Sequence, residues 1–127
     1  MEVNTKTETY KFLSECECFY VLTINGDFPA GRPFGAVMEV GEDLYISTGD
    51  KNEVHKQLLD NGNIQIIAKK EGTREWIRIT GTAQKCDSLD MKQRMMDECP
   101  KLKSHYSSAD SEHYLLFRVK VLNTELK

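Results

Sequence analysis

Between Glu75 and Lys85 the chain alternates residue by residue. Trp76, Arg78, Thr80 and Thr82 fall on one side of an extended backbone, Ile77, Ile79 and Gly81 on the other. A strand with one apolar face and one face of chemistry-capable groups has to lay the first on a core. The rest of the sequence must therefore supply more sheet and something to cover it.

It supplies both. Phe19 to Ile24 is rich in aromatic and β-branched residues, and Asn25-Gly26 behind it is a hairpin turn signal. The returning strand is expected from Gly31 to Val40; Pro33 cannot donate to a ladder, so this strand should be bulged or lie on an edge. Gly35 beside it lets a backbone or a ligand come close. Gly41-Glu42-Asp43 then turns the chain into the strand Leu44 to Ser47, Ile64 to Ala68 forms another, and Tyr114 to Val121 closes the domain.

Three helices are expected. The first runs from Thr5 to Glu15, with Thr5 and Glu8 in capping-box spacing and Tyr10, Phe12 and Leu13 as its apolar stripe. The second runs from Lys51 to Leu59 and stops near Asn61-Gly62, with Val54 and Leu58 facing inward. The third is capped by Asp87 or Ser88, continues to Glu98 and is ended by Pro100, with Leu89, Met95, Met96 and Cys99 on or near one side; its methionines read as core filler. Lys101 to Asp110 reads as polar and irregular. About six strands, mostly hairpin-connected, with three helices predict a mainly β, α+β chain: an antiparallel barrel decorated by helices, forming one domain over residues 1–127.

A chain of this length buries roughly two-thirds of its unfolded surface, enough for a core without staples. The four cysteines, Cys16, Cys18, Cys86 and Cys99, are therefore expected as reduced thiols, and their spacing suits no zinc site. A formal net charge of -3 disfavours nucleic acid as a partner, and no apolar run is long enough to span a bilayer. The first residues lack a basic region followed by an apolar one, so a cytoplasmic location is expected. His55, His105 and His113 sit in no catalytic spacing, no metal site is expected, and neither glycine-rich nucleotide fingerprint occurs.

The stretch from Tyr45 to Leu59 carries the functional expectation. It reads as strand, hydroxyl-rich turn and helix start, with Asp50 and Glu53 in capping-box spacing. Free N–H groups at a helix start, together with Ser47, Thr48, Lys51 and Asn52, make an anion site, and phosphate is the first candidate. Arg32 is expected on a strand paired with Tyr45 to Thr48, slightly beyond Thr48, where it would join them; the competing reading has it paired with Asp27 or Asp50. Trp76 and Arg78 suit an aromatic ligand, a subunit interface or the core.

Taken together, Phe19-Tyr20-Val21-Leu22-Thr23, Arg32-Pro33-Phe34-Gly35, Leu44-Tyr45-Ile46-Ser47-Thr48 with Lys51 and Lys56-Gln57-Leu58, and Trp76-Ile77-Arg78-Ile79-Thr80-Gly81 resemble the flavin-binding split-barrel family related to pyridoxamine 5′-phosphate oxidase. The resemblance runs from Phe12 to Val121 and includes the small members related to nitroimidazole-resistance reductases. It implies a six-stranded split barrel, a homodimer, and FMN in the grooves between protomers. Arg32, Pro33 and Phe34 would lie along the flavin and its phosphate side. Ser47, Thr48, Lys51 and Asn52 would hold the phosphate, and Trp76 would reach the flavin bound to the other protomer.

Where the oxidases carry Ser-Arg-Lys this chain has Asn52-Glu53-Val54, so Lys51 must supply the charge, and the oxidases' C-terminal substrate-binding Arg and His have no counterpart in this sequence. Oxidation of vitamin B6 is accordingly not expected. The first expectation is an FMN-dependent oxidoreductase acting on a small molecule, with NADH or NADPH as a candidate electron donor and no catalytic side chain assigned. Two others remain: a flavin- or haem-binding stress or redox sensor without turnover, and a split barrel that has lost its ligand.

Overall fold

The computed structural model describes residues 6–127. In chain order these form α1 (Glu8–Glu15), β1 (Phe19–Asn25), β2 (Phe28–Phe34), β3 (Met38–Val40), β4 (Asp43–Gly49), α2 (Val54–Asp60), β5 (Asn63–Lys69), β6 (Trp76–Cys86), α3 (Leu89–Glu98), a 3₁₀ turn (Pro100–Ser104) and β7 (Tyr114–Leu126). The expected cap Thr5 lies outside the described residues; Thr7 caps α1, its hydroxyl accepting from the Tyr10 N–H. Among the described residues, no helix is long and apolar enough to cross a membrane.

Seven antiparallel strands form one sheet, in the order β2-β1-β5-β6-β7-β4-β3, where six were expected. The strand expected from Gly31 to Val40 is two strands. Its first half pairs with β1, placing Arg32 opposite Val21, and its second half pairs with β4, placing Met38 opposite Tyr45. Residues 35–37 therefore connect the two ends of the sheet order. That link from Phe34 to Met38 can reach no more than about 15 Å. Seven strands laid flat would hold the edges roughly 29 Å apart, so the sheet has to roll until its edges face each other. It is a rolled sheet that the hydrogen-bond ladder leaves open. Pro29 and Pro33 both sit on the edge strand β2, where a missing donor costs no central ladder bond.

Inside the roll, Phe19 and Val21, Ile64 and Ile66, Ile77 and Ile79, Phe117 and Val119 meet Leu44 and Ile46, with Phe12 and Leu13 of α1 and Val54 and Leu58 of α2 closing over them. A second cluster lies on the other face of β4 and β7, where Met95 and Met96 of α3 pack on Tyr45, Tyr114 and Leu116. The expected core role holds for Met95 and Met96, which are buried, with Met91 and Cys99 partly buried against them; Leu89, expected on the same side, is exposed because it stands at the first turn of α3. Covering on both faces explains why Leu44, Tyr45 and Ile46 are all buried although they alternate.

Gly81 and Gly62 mark close approaches. A Cβ at Gly81 would lie 2.3 Å from the Lys120 carbonyl oxygen, where the β6–β7 register slips between Thr80 and Gly81. Thr80 faces Asn123 and Gly81 faces Val121, so Leu122 is the extra residue of a β-bulge, and it is exposed. Gly62 has the same need beside the Ala83 carbonyl, at 2.6 Å. It is close passage to β6, and not a left-handed helix cap, that requires glycine there: Asn61, the cap, is extended and Gly62 is not among the positive-φ glycines.

Candidate functional site

Rolling the sheet brings the end of β2 beside the end of β4, and between them opens a cleft of about 630 Å³. Arg32, Pro33 and Phe34 line it from β2, and Gly35 and Ala36 from the link to β3. Ser47, Thr48 and Gly49 line it from β4, followed by Asn52, Glu53 and Val54. The remaining side is Lys101, Leu102, His105 and Tyr106.

Arg32 arrives by a different route from the one its sequence position suggested. Its strand pairs with β1 and not with β4, and only the curvature of the sheet delivers it to Thr48's side. The guanidinium is anchored: Nη1 donates to the Val21 carbonyl at 3.1 Å and to Thr23 Oγ1 at 2.9 Å, and Nη2 donates to Gln57 Oε1 at 2.8 Å. Among the described residues no carboxylate lies within ion-pair range of it. Neither Asp27 nor Asp50 is its partner. Burial pushes the Arg32 pKa down, yet a guanidinium remains charged at neutral pH. The cleft thus holds a half-buried cation whose hydrogen-bond partners are all neutral.

The β4 end supplies donors. Asn52 Nδ2 donates to the buried Thr48 Oγ1 at 3.2 Å, and the Asn52 N–H donates to the Gly49 carbonyl at 3.1 Å, closing a turn. The capping box expected from Asp50 and Glu53 does not form. Asp50 is drawn instead to the start of β7: its carboxylate meets His113 Nδ1 at 2.9 Å and its N–H donates to the His113 carbonyl at 3.1 Å. That pairing raises the His113 pKa and lowers that of Asp50. With Asp50 held there, α2 starts at Val54 and not Lys51, and Glu53 at the cap makes no side-chain capping bond. The backbone N–H groups of a long helix are therefore not what the cleft offers; a turn and side chains are.

Six of the eight residues singled out from the sequence line one cleft: Arg32, Pro33, Phe34, Ser47, Thr48 and Asn52. Lys51 is exposed and is not among its lining residues. Trp76 lies at the start of β6, away from this cleft, with the Arg78 guanidinium 4.9 Å from its ring centroid and Arg78 paired to Glu125 at 3.3 Å.

Sequence reasoning missed the fourth side. Pro100 ends α3 but opens a 3₁₀ turn, and Leu102 and Ala109 anchor the following segment in the second core cluster. Lys101 Nζ donates to the Gly35 carbonyl across the cleft, and Tyr106 stacks on Tyr114 with ring centroids 4.8 Å apart. Burial, and after it the charge of Asp50, push the Tyr106 pKa up, so its phenol stays a neutral donor. The available signal was Leu102, Tyr106 and Ala109, scattered anchors within a polar run. The whole arrangement gathers a cation, hydroxyls, an amide and aromatic edges, which is binding chemistry for an anion attached to a larger ligand.

No family model matches the chain, and no curated protein does. Solved structures do. A NimC/NimA family protein from Clostridium acetobutylicum is 30% identical with a TM-score of 0.82, over 94% of this chain and 87% of that one. A protein from the same organism related to general stress protein 26, of the pyridoxinephosphate oxidase family, gives a TM-score of 0.75 at 15% identity, covering 94% and 85% of the two chains. A FAD-binding protein from Mesorhizobium loti gives 0.72 at 12% identity, covering 99% and 97%. The last two share the fold alone. The first shares sequence along nearly its whole length, and on that ground the chain belongs to the NimC/NimA family, within the pyridoxamine 5′-phosphate oxidase-like proteins.

Proposed function

We propose that the cleft binds FMN and that the protein is an FMN-dependent oxidoreductase acting on a small molecule, as a homodimer with flavin at the interface. The observation that carries the reading is Arg32: a half-buried cation in a cleft, with no carboxylate partner among the described residues. Leaving such a charge out of water is costly unless a ligand compensates it. The cleft volume of about 630 Å³ is within the range of small-molecule sites. FAD binding by the Mesorhizobium loti protein supports a flavin, and the absence of a long helix start favours the hydroxyl and amide groups of Ser47, Thr48 and Asn52 as phosphate partners. Bound flavin would supply the hydride or electron transfer; the chain's part is to hold it and to shield it from water.

The dimer is supported by the outer face of the sheet. Tyr20, Ile24 and Leu122 are exposed there, and Leu22, Ile24, Pro29 and Leu122 line an apolar hollow of about 460 Å³. Trp76 and Arg78 stand on the outward side of β6, the side from which a partner protomer's cleft would be reached. Pyridoxine-phosphate oxidation is not proposed, because Asn52-Glu53-Val54 stands where the resemblance puts the oxidases' Ser-Arg-Lys.

The visible spectrum of the purified protein tests this. Flavin bands, or a colourless protein that quenches added FMN, are expected, with sedimentation as a dimer; a Soret band or indifference to FMN refutes it. Arg32→Ala should weaken FMN binding by about 1.5–3 kcal/mol, the worth of a charge-assisted hydrogen bond. Turnover of NADH or NADPH with quinones and nitro compounds then separates an enzyme from a sensor.

A further inference from the structure

Gln57 on α2 and Thr23 on β1 are both bonded to Arg32 and to each other. Thr23, 3% exposed, gives its hydroxyl proton to Gln57 Oε1 at 2.5 Å and accepts from Arg32 Nη1 at 2.9 Å. Gln57 Oε1 accepts a second bond from Arg32 Nη2 at 2.8 Å. The orientation of the amide follows from this, because turning it over would set its NH₂ against two donors. Each of the three bonds inside the triad runs from a donor to an acceptor, and the triad contains no negative charge.

A glutamate has the same length and the same acceptor at that position, and would form the bidentate ion pair that arginine favours. The chain has an amide there instead. The nearest carboxylate lining the cleft, Glu53, is paired with Lys56 at 3.6 Å. An amide fixes the direction of the guanidinium and leaves its field intact, which a carboxylate would not.

We propose that Gln57 is a positioning residue: by anchoring Arg32 without neutralising it, Gln57 keeps a fixed positive charge in the wall of the cleft, and that charge selects anionic ligands. Through FMN this rests on the flavin reading above, and an independent probe, inorganic phosphate, separates the two. The charge argument also separates from a structural one, because two substitutions rank in opposite orders. Gln57→Glu preserves the anchor and removes the field. Gln57→Met removes the anchor and preserves the charge.

The experiment measures FMN dissociation constants by flavin fluorescence between low and high salt, and melting temperatures of the ligand-free protein with and without millimolar phosphate. Gln57→Glu should melt at or above the wild-type temperature, bind FMN at least tenfold more weakly, show a flattened salt dependence and lose its stabilisation by phosphate. Gln57→Met should melt lower yet keep the wild-type salt dependence and bind FMN more tightly than Gln57→Glu. Riboflavin, which lacks the phosphate, should distinguish wild type from Gln57→Glu by less than FMN does. If wild type ignores flavins but is stabilised by phosphate in a way Gln57→Glu is not, the flavin reading falls and this one stands. Equal FMN affinity and salt dependence in wild type and Gln57→Glu, weaker binding by Gln57→Met than by Gln57→Glu, or a wild type that responds to neither FMN nor phosphate, each overturns it.

Discussion

Gly81→Ala tests whether the bulge between β6 and β7 holds the outer face in shape. The new Cβ would lie 2.3 Å from the Lys120 carbonyl oxygen and 3.2 Å from Val119 Cγ1. The first neighbour is backbone and cannot rotate away. Relief requires the two strands to part by roughly 1 Å, which carries ladder hydrogen bonds of about 2.9 Å beyond useful range. Overpacking of this kind costs about 1–3 kcal/mol, and each lost ladder bond about 0.5–1.5 kcal/mol. The stiffer unfolded chain returns at most about 1 kcal/mol. A net loss of about 3 kcal/mol follows, equivalent to a melting temperature lower by on the order of 10 °C in a domain of this size. Urea unfolding at constant m value is the assay, with Gly31→Ala as control, since a Cβ there meets Leu22 Cγ at 3.6 Å and the Val21 carbonyl oxygen at 4.0 Å, both ordinary contacts. Gly81→Ala within about 0.5 kcal/mol of wild type, the usual range for a harmless surface change, would refute the close-approach argument and with it the account of why Leu122 is thrown outward.

The Asp50–His113 pair gives a pH signature. The His113 pKa is raised above its ordinary 6.5 by the hydrogen bond and charge of Asp50, so its contribution is complete below about pH 6.5 and fades as pH rises through the folded value. Asp50, lowered from 3.8, contributes above that pH and loses its effect as pH falls through its folded value. The melting-temperature difference between wild type and His113→Gln should therefore be largest between about pH 4 and 6.5 and shrink towards pH 9; a difference constant from pH 5 to 9 contradicts the pairing. Lys101→Met should weaken FMN binding more than Lys51→Met, by on the order of fivefold against less than twofold, because exposed charges outside a cleft are screened. Fluorescence titration decides it, and the reverse order returns the phosphate site to Lys51.

Periodicity told most about the fold. The alternation from Trp76 to Lys85 and the β-branched runs in β1, β5 and β7 place residues on the correct faces, because burial enforces a period of two along any strand with one covered side. Periodicity is silent about pairing partners. Nothing in Arg32-Pro33-Phe34-Gly35-Ala36-Val37-Met38 marks the point where the chain leaves one edge of the sheet for the other, since the exchange of partners is a long-range event and the local residues suit an extended backbone throughout. One long strand was the simplest reading, and it concealed the step that rolls the sheet.

The site shows the same division. Hydroxyls, an amide and an arginine were recognisable as anion-binding types, and Ser47, Thr48, Asn52 and Arg32 do line one cleft. The helix start that was to unite them was not legible, because a capping box describes only local competition for Asp50, and His113, far along the chain, wins that competition. Arg32's freedom from a counter-ion was equally hidden. Sequence offered Asp27 and Asp50 as partners at short range, while the groups that hold the guanidinium, Thr23 and Gln57, are neutral and come from β1 and α2. A cation kept unpaired by neutral anchors is a property of three segments at once. For that reason the chemistry of this cleft is decided by what the rolled sheet brings beside Arg32, and substituting Gln57 tests more of it than substituting any residue in the Tyr45–Leu59 stretch.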